Sequence, residues 1–218
     1  DLDDAVGNEQ SARAAVLARD TLGLQVVGFD LAGEESGYPA EAHKEAFEYA
    51  HKHFLKRTVH AGEAYGPESI FQAITDLHAD RIGHGTYLLE ADQIQDPEIE
   101  DREHYVDMLG NYIADRRITL EVCLTSNLQT NPHLKFLDDH TFRKLRAKRL
   151  STTLCTDNRL MSNTTVTNEL ALAVKHLGLD RHDLKSIIIY GFKRSFYPGS
   201  YLNKRQYVRQ IIDHAIPD

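Results

Sequence analysis

Cysteine is scarce in this sequence: Cys123 and Cys155 are the two in 218 residues, each inside a short apolar run. They provide neither a disulfide framework nor a CxxC pair, so a reducing compartment is expected and the chain is assigned to the cytoplasm. Basic residues are also short, 25 Lys and Arg against 33 Asp and Glu for a formal charge of -8. Without a basic stripe to neutralise phosphates, no nucleic-acid partner is expected. The most cationic stretch, Arg143 to Arg149, alternates with Leu145 and Ala147 and reads as the solvated face of a short helix. No apolar run approaches the length of a membrane span, and no signal peptide opens the chain, so no membrane partner is expected. A glycine-rich fingerprint is missing too. Leu31-Ala32-Gly33-Glu34-Glu35 has neither a dinucleotide-binding nor a phosphate-loop spacing. Nor is there an initiator Met, and the opening Asp1-Leu2-Asp3-Asp4 reads as a start partway through a protein. Linker-like and low-complexity stretches are absent, so residues 1–218 are expected to form a single domain around one core.

What is present is a short apolar run followed by a helical segment, repeated. The runs span 25–31, 58–61, 81–84, 118–124 and 151–157. Each is partly β-branched and ends in, or is soon followed by, Gly, His, Ser or Asp, as strands buried on both faces do. Between them, Ala42, Ala46, Tyr49, Ala50 and Phe54 recur at helical spacing, and Pro67 opens a helix with Ile70, Phe71, Ile74 and Leu77 on one face. Tyr105, Leu109 and Tyr112 make a third stripe. Val166, Leu170, Ala173, Val174 and Leu177 make a fourth, ended by Gly178. Ile187-Ile188-Ile189 suits strand or helix, and the pattern from Asp183 to Lys193 favours helix. Alternation of this kind calls for parallel βα units, in a barrel or an open doubly wound sheet.

Polar residues stand where each strand runs out: Gly33, then His60 and Glu63, His84, Ser126 and Asn127, and Asp157 with Asn158. In an α/β barrel the strand C-termini converge on one mouth, and two histidines with an aspartate there suit Zn²⁺. Taken singly, each has a plainer reading. A strand-end His is more often a hydrogen-bonded structural residue, and Asp157-Asn158 alone is a turn or a helix cap leading into Leu160 to Ser162. The set at successive strand ends outweighs chance placement. His51-Lys52-His53 imitates a metal-binding HxH, but it lies on a helix, where residues i and i+2 diverge. It reads as a polar helix C-terminus. Ser162 to Thr165 is either a loop or the lead-in to a helix.

Four motifs in this order resemble the adenosine deaminase family of the amidohydrolase superfamily: Asp30-Leu31-Ala32-Gly33, Thr58-Val59-His60-Ala61-Gly62-Glu63, Arg81-Ile82-Gly83-His84-Gly85 and Cys155-Thr156-Asp157-Asn158. The resemblance runs through essentially the whole chain. It implies an α/β fold, an eight-stranded TIM-type metal-dependent barrel that turns adenosine or deoxyadenosine into inosine and ammonia. It also implies roles. His60 and Asp157 would be zinc ligands, with Asp157 also contacting the attacking water. Glu63 would give a proton to N1 of the purine, and His84 would hold the activated water and move its proton. The Gly33 amide would face N3 and Asn158 would face N7. Asn158 stands where a second acidic residue is common in the family, and its amide donates in its ordinary state, where a carboxyl must first be protonated.

The resemblance also marks what these residues do not contain. The family's first strand carries His-x-His, two further zinc ligands, followed by an acidic residue for the ribose. The five strands here correspond to the fourth through eighth of the barrel, so the ligand set for one Zn²⁺ is incomplete in these 218 residues. An open partial barrel exposes two strand edges. A missing N-terminal segment or a partner chain is therefore expected to complete it, and the chain alone is expected to be inactive. A small-molecule purine nucleoside is the expected partner. Deamination of another 6-aminopurine, such as adenine or AMP, stays open beside adenosine, and so does a non-catalytic barrel remnant.

Overall fold

The computed structural model describes residues 5–214. The Asp1-Leu2-Asp3-Asp4 opening lies outside them. The fold is organised as two compact units, Asp1–Ile118 and Thr119–Asp218.

The first unit runs α1 (Ala5–Asp20), β1 (Gly28–Leu31), α2 (Lys44–Lys52), β2 (Lys56–Ala61), α3 (Pro67–Thr75), β3 (Arg81–His84) and α4 (Arg102–Arg116). Its strands are parallel, with Phe29 opposite Arg57 and His60 opposite Gly83. Period-two alternation sorts β2 cleanly. Arg57, Val59 and Ala61 are buried, while Thr58 and His60 stand half-buried on the other face. β3 is buried from Ile82 onward, as expected of a strand covered on both faces. Behind the strands, α1 and α2 pack Val16 and Ala50 on Leu55, with Val26 and Phe29 against the cluster. α3 starts at Pro67, whose missing N–H costs nothing in the first turn, and buries Ile70, Ala73 and Ile74.

The second unit runs β4 (Thr119–Val122), α5 (Leu124–Thr130), α6 (Phe142–Ala147), β5 (Thr152–Leu154), α7 (Arg159–Ser162), α8 (Val166–Leu177), α9 (Arg181–Arg194) and α10 (Tyr201–His214). β4 and β5 are parallel, with Val122 opposite Leu154. Thr165 caps α8 through the Asn168 amide, and Gly178 ends it in the left-handed conformation at φ 65°. Arg143 donates to the Leu177 and His176 carbonyls. Part of the basic stretch therefore satisfies the end of α8 while remaining exposed. Asp180 and Asp183 form a reciprocal capping box that starts α9.

Several boundaries differ from the sequence expectation. Residues 25–27 are not strand, β4 is shorter than 118–124 because Leu124 already begins α5, and β5 stops at Leu154. The expected stripe of α2 ends early: Phe54 lies past the helix at φ 58° and is 89% exposed. In α4 the buried positions are Val106, Leu109, Gly110 and Ile113, so Tyr112 sits on the rim. α8 buries Glu169 rather than Val166 or Val174, which are exposed. Ser162 to Thr165 divides between the end of α7, a left-handed Asn163 and the cap of α8. Among the described residues no helix is long and apolar enough to cross a membrane.

Candidate active site

In the first unit, the ends of β1, β2 and β3 bring four of the expected residues together. His60 is the fifth residue of β2, and its Nδ1 lies 2.9 Å from the Leu31 carbonyl at the end of β1. A carbonyl only accepts, so Nδ1 carries the proton and Nε2 presents the lone pair, the form in which imidazole binds a metal. The Asp30 carboxylate is 3.5 Å from the same nitrogen. Gly83 explains how the ring finds room: a Cβ there would meet His60 Cγ at 3.1 Å and Nδ1 at 3.2 Å. The His60 and His84 rings are 5.0 Å apart and tilted, and each offers a ring nitrogen within 4.8 Å of the other.

His84 ends β3 in the left-handed region at φ 62°, followed by Gly85 at φ 64°. A left-handed histidine is uncommon and needs surrounding structure to hold it. Here the Gly85 amide donates to the Ala61 carbonyl and the Tyr87 amide to the Gly62 carbonyl. The result is a His84 side chain 1% exposed with Nε2 3.4 Å from Glu63 Oε2. Glu63 itself is 18% exposed. A carboxyl and an imidazole this close, both shielded, are placed for proton exchange with a bound molecule.

Gly62 has two reasons to be glycine. Its φ is +70°, and a Cβ would fall 2.5 Å from Ile70 Cδ1. The Glu63 loop is therefore seated directly on α3. Its amides meet Glu35, which the sequence reading passed over. Gly62 N donates to Glu35 Oε1 at 2.8 Å, and Glu63 N and Ala64 N donate to Oε2 at 2.9 and 2.6 Å. A cavity of about 310 Å³ opens beside these loops, lined by Leu31, Gly33, Tyr38, His60 and Tyr65 among others. That volume suits a small ligand. Glu63 and His84 are not in its lining, so the cavity lies on the Gly33 side of His60.

The second unit carries the remaining candidates. Asp157 follows β5 at φ 56°, exposed, and Ser126 Oγ donates to its Oδ2 at 2.6 Å. Asn158 is the N-cap of α7, its Oδ1 accepting from the Met161 amide at 3.1 Å. The helix-cap reading of Asn158 is thus realised, and because Oδ1 is engaged there the NH₂ is its outward donor. Asn127 is fully buried, with its Oδ1 3.3 Å from His140 Nε2. Burial pushes His140 down to about 4, so it is a neutral structural histidine. Glu169, 0% exposed, accepts from the Thr125 amide at 3.1 Å and from the Thr164 hydroxyl at 2.7 Å. The sequence reading passed over this residue as well. Neither Cys123 nor Cys155 forms a disulfide, and burial pushes the Cys123 thiol up, away from the thiolate that nucleophilic chemistry needs. His51 and His53 diverge: His51 stacks on His78 at 4.3 Å and His53 on Tyr49 at 4.0 Å.

The sequence pattern of the family described as adenosine deaminase matches residues 4–214. The chain belongs to the adenosine deaminase family. Adenosine deaminase 1 of Streptomyces coelicolor is 39% identical over 189 residues, covering 87% of this chain and 46% of that protein. The chain spans about half the length of the curated family members it matches. Among solved structures, the N6-methyl-AMP deaminase of Arabidopsis thaliana aligns at a TM-score of 0.75 and 29% identity, over 98% of this chain and 56% of that one. An amidohydrolase from Burkhoderia ambifaria, solved with bound zinc, aligns at a TM-score of 0.74 and 21% identity, over 94% of this chain and 54% of that one. At that identity the likeness speaks to fold alone. The fold is α/β with five parallel-paired strands, matching a little over half of the TIM-type deaminase barrels.

Proposed function

We propose that the intact protein is a zinc-dependent hydrolase that deaminates adenosine or deoxyadenosine to inosine and ammonia. The observation that carries this reading is Glu63 beside His84, 3.4 Å apart and shielded, next to a His60 whose Nδ1 is turned to the Leu31 carbonyl. Together with family membership, that donor set fits Zn²⁺. His60 and Asp157 would hold the ion, with further ligands from the part of the relatives' length that these residues do not span. When bound, the zinc supplies an activated water at neutral pH by lowering its pKa to about 7.

The chain's own residues do the rest. Water attack on C6 breaks the aromaticity of the purine, so the ring must first be made electrophilic. Glu63 does this by delivering a proton to N1. His84 takes the proton from the attacking water and passes it to the C6 amino group, which leaves as ammonia while the C6 hydroxyl proton returns to Glu63. The Gly33 amide donates to N3 and the Asn158 NH₂ donates to N7, and these contacts identify the base as a purine.

A second reading keeps the chemistry and changes the sugar side. The likeness to an Arabidopsis N6-methyl-AMP deaminase at 29% identity favours a nucleotide such as AMP. Turnover of adenosine, adenine and AMP by the intact protein, with zinc measured on the same preparation, tests both. Adenosine preferred by at least tenfold supports the first reading and AMP preferred supports the second. A zinc-free protein inactive on all three overturns both in favour of a non-catalytic barrel.

A further inference from the structure

We infer that Glu35 is a positioning residue that fixes Glu63, the proposed proton donor, relative to the Gly33 amide. The inference rests on the deaminase reading for what Glu63 does, but its structural content stands on hydrogen bonds within the first unit.

The Glu35 carboxylate gathers four donors from one short stretch of chain. Oε1 accepts from Gly62 N at 2.8 Å and from Ser69 Oγ at 2.7 Å. Oε2 accepts from Glu63 N at 2.9 Å and Ala64 N at 2.6 Å. Three successive amides pointing at one anion form a nest, and in ordinary proteins that concavity receives a bound anion. Here a side chain fills it. Gly62 holds a left-handed φ of +70°, and its amide also lies 2.9 Å from Ser69 Oγ. Without the carboxylate the three amides would lose this shared acceptor, and the loop would have more conformations to sample.

The origin of the carboxylate matters as much as its contacts. Glu35 lies two residues after Gly33, in the segment leaving β1. It therefore ties the chain carrying the Gly33 amide to the chain carrying Glu63, 28 residues away. In the proposed site these two groups meet N3 and N1 of one rigid ring. The ring fixes the spacing its partners must have, so the two segments must hold that spacing before substrate arrives. A carboxylate bridging them meets that requirement, and Ser69 anchors the bridge to α3.

The test is Glu35→Gln, which keeps the side chain's size and replaces one acceptor oxygen by an NH₂ that opposes the amides. Glu35→Asp, which keeps the charge but retracts it, is the companion variant. Hydrogen exchange measured on this chain reads the loop directly. Exchange at Gly62, Glu63 and Ala64 should rise about tenfold to hundredfold in Glu35→Gln, the size expected for lost hydrogen bonds to a charged acceptor. Amides of α1, α2 and β3 should be unchanged. In the intact protein, kcat should fall about tenfold to hundredfold with KM within about threefold, because the misplaced group acts in the transition state. Glu35→Asp should recover part of both effects. Unchanged exchange at residues 62–64, or faster exchange spread over the whole unit, overturns the inference. So does raised loop exchange with kcat intact. If the wild-type intact protein has no deaminase activity, the deaminase reading fails while the exchange arm still decides whether Glu35 holds the loop.

Discussion

Glu63 and Asp157 each stand just past the end of a short parallel strand, one in each unit, and they are held in different ways. Glu63 sits in a loop whose three amides close on the Glu35 carboxylate, with the side chain 18% exposed. Asp157 is exposed, and it is set by its own left-handed backbone at φ 56° and by the Ser126 hydroxyl at 2.6 Å. Behind Ser126, Glu169 anchors Thr125 and Thr164 from α8, so the second unit places its carboxylate anchor behind the functional residue instead of beneath its loop. The difference follows the proposed tasks. A proton donor must keep its direction while empty, whereas a ligand carboxylate is also drawn into place by its ion. The first therefore needs preorganised backbone, and the second needs only an orienting hydrogen bond.

The comparison breaks most sharply at Glu63. Glu63→Gln keeps the volume and the loop but cannot give a proton, so kcat of the intact protein should fall about 10²- to 10⁴-fold. Zinc content and melting temperature should stay at the wild-type level, measured on the same samples. A loss under tenfold would falsify the assignment of Glu63 as the donor to N1.

The second unit also has a titratable support that can be tested by acid. His140 Nδ1 accepts from the Phe142 amide at 3.0 Å and its Nε2 faces Asn127 Oδ1. Burial lowers it from 6.5 to about 4. Between those values the unfolded chain binds the proton that the folded one refuses. Stability is therefore full above about pH 6.5 and is lost as pH falls toward 4, by up to about 3 kcal/mol. His140→Asn retains an acceptor for the amide two residues on but does not titrate. Thermal melts from pH 7 to pH 4 should show a shallower decline in this variant than in wild type. Parallel declines would remove His140 as the cause.

Much of the site could be read from residue order, because its chemistry is concentrated at strand ends and each strand is short. His60, Glu63, His84 and Asp157 stood out as polar punctuation after β-branched runs, and the parallel pairings follow from the alternation with helices. What could not be read depends on tertiary contact. Glu35 binds backbone amides 27 to 29 residues away, and backbone donors leave no trace in residue identity. Glu169 lies beside an apolar stripe, and its three oxygen and nitrogen partners at Thr125 and Thr164 draw it inside. α1 escaped notice because it buries mainly small residues, Ala12 with Val16, between charged ones. The late start of β1 has the same kind of cause: Val26 serves the α1–α2 cluster, and pairing with β2 begins at Gly28.

Ser126 tests the other half of the comparison. Ser126 is 3% exposed and its hydroxyl donates to the exposed Asp157 carboxylate, so Ser126→Ala removes direction without removing charge. Zinc affinity of the intact protein should weaken about 10- to 100-fold, the usual size for loss of a group that orients a ligand. Competition with a chelator reads it. Glu35→Gln should leave zinc affinity unchanged, since the Glu35 carboxylate holds the loop of Glu63 and not a proposed ligand. The two variants thus separate the metal side of the site from the proton side. If Ser126→Ala retained zinc as wild type does, the left-handed turn at Asp157 would be sufficient to aim the carboxylate, and Ser126 would belong with the helix-anchoring network of Glu169.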